Sequence, residues 1–132
     1  MKKFDNFSRA LANLESSNVY EPPFEPTIQA GIVSLFQICF EQAWKTLKEL
    51  LEYHGLNTEQ VSSPRKIIKL AYQNRMIADQ ENWLGLLDTR NELAHTYSEE
   101  DSLDAIQRIR DIYVGLFKDL HKELEANWLP EE

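Results

Sequence analysis

A single cysteine among 132 residues rules out an internal disulfide framework. Its place, Cys39 inside an apolar helical run, suits a buried, reduced thiol in a cytosolic protein. Glycine is almost as scarce, with four residues, and none is grouped into a phosphate-cradling loop or a nucleophile elbow. The chain therefore does not read as a nucleotide-using enzyme on its own, and no cofactor is called for. No apolar run approaches the roughly 20 residues that a membrane span needs. The opening Met-Lys-Lys-Phe-Asp-Asn-Phe-Ser-Arg has no apolar signal-peptide core. The expectation is a soluble, cytoplasmic protein with no membrane association. Cations are also in deficit: 14 Lys and Arg stand against 22 Asp and Glu, a net charge of −8. That balance argues against broad, salt-driven nucleic-acid binding, while leaving room for a local basic patch to hold a phosphate.

What is present is helix. With 42% hydrophobic and 27% charged residues, the chain is globular and long enough for one domain, spanning 1–132. Phe4, Phe7, Leu11 and Leu14 recur at three- and four-residue spacing, a short amphipathic helix from Phe4 to Ser17. Pro22, Pro23 and Pro26 then forbid a regular helix, so Asn18–Pro26 reads as an extended connector with Tyr20 and Phe24 packed on neighbours. Thr27 to His54 is the longest helical pattern, with Thr27 as N-cap and Gly55 as stop. Its wide apolar arc implies burial against more than one neighbour. A third helix runs from Pro64 to about Met76 with Ile67, Ile68, Ala71 and Tyr72 inward. A fourth runs from Asp79 to His95 with Trp83, Leu84, Leu87 and Leu93 inward. The last covers Glu99 to Asn127, capped by Ser98, with Leu103, Ile106, Tyr113, Leu116, Phe117, Leu120 and Leu124 on its buried side. Nothing demands a strand. The pattern predicts an all-α, antiparallel up-and-down bundle of about five helices.

The chemistry gathers in Leu86–Tyr97, where Arg90, Asn91, His95 and Tyr97 fall within eight positions. Asn91 and His95, four apart, share one helix face, so Asn91 is placed to orient the imidazole. Arg90 and His95 lie roughly 140° apart on an ideal helix. An imidazole moves protons near neutral pH, and a guanidinium stabilises charge developing on a phosphate. Together they fit metal-independent RNA cleavage through the ribose 2′-hydroxyl, better built from two copies in a twofold dimer than from one. A purely structural role for the same residues is the plainer alternative. Glu92 and His95 have Glu-x-x-His spacing, but Leu51 and Lys118 precede His54 and His121 where a second glutamate is needed, so no metal site is assigned. The helix starting at Pro64 carries Arg65, Lys66, Lys69 and Arg75 with no acid between Ser62 and Ala78. Arg65, Lys66 and Lys69 are therefore candidates for binding a phosphate or an acidic partner, against the alternative of a solvated face.

Arg90-Asn91-x-x-x-His95-x-Tyr97 resembles the signature of the HEPN superfamily. Phe40-Glu41-Gln42-Ala43-Trp44-Lys45, Ser63-Pro64-Arg65 and Trp83-Leu84 are similar, in order, to elements of its nucleotidyltransferase substrate-binding branch. The resemblance runs from about Ile28 to Tyr97. It implies a helix bundle, a homodimer, and a separately encoded minimal nucleotidyltransferase as partner, with a nucleotide or RNA as the ligand. Some such proteins are substrate-binding subunits. Others are ribonuclease toxins silenced when the partner adds AMP to the motif tyrosine. Carried onto this chain, the resemblance implies that Arg90 stabilises phosphate, His95 is the general acid or base, Asn91 orients His95, and Tyr97 is the modification target.

Overall fold

A computed structural model describes residues 1–56, 63–95 and 98–131. The elements are α1 (Lys2–Ser16), a single 3₁₀ turn (Ser17–Val19), α2 (Pro26–Tyr53), α3 (Pro64–Gln73), α4 (Gln80–His95), α5 (Glu99–Arg108) and α6 (Val114–Asn127). A π-helical turn, Ile109–Tyr113, joins α5 to α6 into one rod. The fold is the expected all-α, up-and-down bundle. α2 is its axis, flanked by α1, α3 and α5, while α4 packs on α3 and on the π turn.

Local sequence sets most of the helix ends. Ser63 caps α3, its hydroxyl accepting from the Lys66 amide at 3.3 Å, and Ser98 caps α5, accepting from the Asp101 amide at 3.0 Å. Asp79 accepts from the Asn82 amide at 3.0 Å just before α4. The start of α2 differs from expectation: Glu25, not Thr27, is the N-cap, and Pro26 takes the first helical position. Proline has no amide to leave unsatisfied there, and its fixed φ already suits a helix.

Two helices end with the same hydrogen-bond pattern but different residues. After α2, the Gly55 amide donates to Glu52 O and the Leu56 amide to Leu51 O, with Gly55 at φ +84°. After α3, the Arg75 amide donates to Tyr72 O and the Met76 amide to Ala71 O, with Arg75 at φ +63°. Both are Schellman closures, which favour glycine because a Cβ is crowded in the left-handed region. This early closure ends α3 at Gln73, short of the expected Met76. Arg75→Gly should stabilise the protein by about 0.5–1 kcal/mol, the relieved strain outweighing the entropy a glycine adds to the unfolded chain. The check is a rise in the urea midpoint at unchanged slope.

One aromatic cluster holds the bundle together. Phe117 of α6 meets Phe7 of α1 at 6.2 Å, Phe36 of α2 at 6.3 Å and Trp83 of α4 at 5.7 Å between ring centroids. Tyr113 stacks on Phe36 at 6.0 Å and places its hydroxyl 3.1 Å from Thr89 Oγ1 on α4. Ile109 and Tyr113 are both buried within the π turn, and α-helical hydrogen bonding resumes at Val114. The regular helix expected over Glu99–Asn127 is therefore interrupted. Cys39 is fully buried, and its thiol is pushed well up by that burial and, less, by the Glu15 charge.

Two residues expected inward are not. Tyr72 is 45% exposed and Leu103 40% exposed, because α3 and α5 are each covered along one narrow side only. Tyr20 is exposed as well, whereas Phe24 packs beside Ile32, Val33 and Ile106 in a small second cluster. Among the described residues, no helix is long and apolar enough to cross a membrane.

Candidate functional site

Ser34, Gln37, Ile38 and Glu41 are spaced at three and four residues, so α2 presents them on one face. Opposite stand Arg90, Asn91 and His95 from the C-terminal half of α4, and the two rows line an open depression of about 700 Å³. Arg90 and His95, divergent on an ideal helix, thus share one concavity, because it is wide enough to take in both sides of the α4 end.

Arg90 is the best-anchored member. Its guanidinium lies over the Phe40 ring, 5.5 Å from the centroid. Nη2 donates to Glu41 Oε2 at 3.2 Å, and Nη1 donates to Asn91 Oδ1 at 3.0 Å. Glu41 is itself gripped: Trp44 Nε1 donates to Oε2 at 3.0 Å and Lys45 Nζ lies 3.2 Å from Oε1. Burial pushes the Glu41 carboxyl up. The Trp44 and Lys45 hydrogen bonds, followed by the Lys45 and Arg90 charges, outweigh it and hold the group below the ordinary carboxylate value. Glu41 therefore stays charged near neutral pH.

Asn91 does not sit as its spacing suggested. Its Oδ1 accepts from Arg90, and no hydrogen bond joins it to His95 among the described residues. His95 is the last residue of α4 and is exposed, which leaves its ring accessible to a ligand in the depression. Tyr97 lies outside the described residues. Beyond it, α5 is clamped to α2 by the buried Gln29, whose Nε2 donates to Glu99 O at 2.7 Å and to Ser102 Oγ at 2.5 Å.

The structure does not bring the α3 cations to this place. Arg65 pairs with Asp88 at 2.9 Å, Lys66 and Lys69 are exposed, and none of the three lines the depression. Any role they have is at a separate surface. Among the described residues, no three His, Cys, Asp or Glu side chains converge as metal ligands. The motif around Arg90 pointed to one wall of the site. The other wall comes from α2, some 50 positions earlier, and Glu41 was visible only as part of Phe40–Lys45, with no signal of what it touches.

A family model described as nucleotidyltransferase substrate binding protein like matches residues 2–126. The chain is 26% identical over 92 residues to a Haemophilus influenzae protein named probable ribonuclease HepT; the match covers 68% of this chain and 63% of that relative. A crystal structure of a Thermus thermophilus protein superposes with a TM-score of 0.78 at 30% identity, covering 89% of this chain and 98% of the other. The tri-AMPylated Shewanella oneidensis HEPN toxin, solved in complex with its MNT antitoxin, shares the fold at a TM-score of 0.77 and 19% identity over 96% of each chain.

Proposed function

The chain belongs to the nucleotidyltransferase substrate-binding-protein-like family, and from that premise we propose that it is the HEPN subunit of a two-component pair. It docks a separate minimal nucleotidyltransferase, and its α2–α4 depression is half of a metal-independent ribonuclease site. The observation that carries the second part is the shared concavity: a fixed guanidinium and an exposed imidazole face the same open space. In the reaction, the ribose 2′-hydroxyl loses its proton to a base and its oxygen attacks the adjacent phosphorus. The 5′-oxygen then leaves with a proton from an acid, giving a 2′,3′-cyclic phosphate and a free 5′-hydroxyl. Arg90 neutralises the charge that builds on the non-bridging oxygens. One His95 cannot be base and acid at the same instant, so a homodimer placing two depressions together supplies the second imidazole. Addition of AMP to the Tyr97 hydroxyl by the partner, with loss of pyrophosphate from ATP, is the silencing step in this reading.

Expression of the chain without its partner tests it. Fragmented RNA with cyclic-phosphate ends, suppressed by co-expressing the nucleotidyltransferase, is the expected result. Intact RNA would instead select a subunit that only presents substrate, the reading that the acidic net charge and the Glu41–Arg90 ion pair favour. For docking, the exposed α3 face is the proposed contact. Changing Arg65, Lys66 and Lys69 together to Glu should abolish co-purification with the nucleotidyltransferase while leaving the helix content by circular dichroism unchanged. Undiminished co-purification removes α3 from the contact.

A further inference from the structure

We infer that Glu41 is the positioning residue for Arg90: the Trp44–Glu41–Arg90 chain of hydrogen bonds fixes the guanidinium so that its remaining donors face the depression. The catalytic part of this inference rests on the ribonuclease reading; the positioning part does not.

The geometry carries it. Arg90 is long and flexible, and at an open surface its side-chain entropy would scatter it over many rotamers. Three contacts remove that freedom. Phe40 lies beneath the guanidinium plane, Asn91 accepts from Nη1, and Glu41 accepts from Nη2. Phe40 supports the guanidinium from one side without a directed bond, and Asn91 is a neighbour on the same helix that moves with Arg90. Of the two hydrogen bonds, the one to Glu41 ties the guanidinium to α2.

Glu41 is suited to that task because its own position is over-determined. Its Oε2 accepts from the Trp44 indole at 3.0 Å as well as from Arg90 at 3.2 Å, and its Oε1 faces Lys45 at 3.2 Å. Trp44 and Lys45 lie three and four residues on, along the same helix face, so α2 itself holds the carboxylate. Because two cations and an indole share one carboxylate, Arg90 is steadied without being fully neutralised. Among the described residues its Nε–H and the second hydrogens of Nη1 and Nη2 have no partner, and they remain as donors for a phosphate.

Glu41→Gln is the informative variant, since it keeps shape and reach. Even with its single oxygen where Oε2 lies between Trp44 and Arg90, an amide carries no charge and turns its NH2 towards Lys45, so the bond to Arg90 loses its charge assistance and the side chain its second anchor. The Arg90 Nε–Hε cross-peak in the full-length protein, assigned by its loss in Arg90→Lys, reads the positioning directly. It should be sharp in the native protein and broadened or shifted in Glu41→Gln. On an RNA substrate, kcat should fall about tenfold with KM within about twofold, the pattern of an interaction that serves the transition state. The melting temperature should stay within about 4 °C, because partly exposed ion pairs contribute little to stability. An unchanged Arg90 signal overturns the proposal. So does a fall in KM, which would make Glu41 a competitor of the phosphate. If the native chain cleaves no RNA, the ribonuclease reading fails, and the Arg90 signal still decides whether Glu41 fixes the guanidinium.

Discussion

His95→Ala and Arg90→Ala are each expected to lower RNA cleavage by about 10²–10⁴-fold, the range typical of removing a general acid–base group or a charge-stabilising donor. Neither change should disturb the fold. His95 is exposed at the end of α4, and the Arg90 ion pair with Glu41 is partly open to solvent. Melting temperatures near that of the native chain would therefore accompany the loss. The double variant should be little worse than the poorer single one, because groups that act on one transition state are not additive. Arg90→Lys should recover little, since an ammonium lacks the planar fork that stacks on Phe40 while bonding Glu41 and Asn91. Cleavage rates measured on one RNA at saturating and sub-saturating concentration are the check. Full activity in His95→Ala would remove the imidazole from the chemistry and the ribonuclease reading with it.

The contrast between Arg90 and Glu41 shows what a single chain of letters discloses. Arg90, Asn91 and His95 stand within six positions on one helix, so their conjunction is local and can be read directly. That they would face Ser34, Gln37 and Glu41 is a tertiary fact, set by how α4 lies against α2. The helix pattern was legible for a similar reason, since the periodic apolar residues of each helix reflect the side that it buries. The interruption at Ile109–Tyr113 was not. Ile106, Ile109, Tyr113 and Phe117 have ordinary helical spacing, so nothing local marks the wider turn, at whose end Tyr113 meets Thr89 and Phe36 on other helices. Leu103 and Tyr72 were misplaced because hydrophobicity marks a residue that can be buried, whereas coverage depends on the neighbouring helices.

Phe117→Ala should destabilise the protein by about 3–5 kcal/mol, a large share of the roughly 5–15 kcal/mol that holds a domain of this kind folded. Phe117 is fully buried and touches rings from three other helices, Phe7, Phe36 and Trp83. Removing it leaves a void that no single helix can close without disturbing the others. Phe117→Leu, which keeps most of the volume, should lose less than about 1.5 kcal/mol. Urea unfolding followed by circular dichroism separates the two, with a change in midpoint at constant slope for both. The contacts reach towards the site: Phe36 lies five residues before Glu41 on α2, and Trp83 lies seven before Arg90 on α4, so Phe117 packs between the stretches of α2 and α4 that lead into the two walls of the depression. If that packing sets how α4 lies against α2, the 3.2 Å contact of Glu41 with Arg90 depends on it. At a temperature where the Phe117→Ala protein is still folded, the Arg90 side-chain signal should already be broadened. If it stays sharp, the α2–α4 ion pair is set locally, independent of the aromatic core.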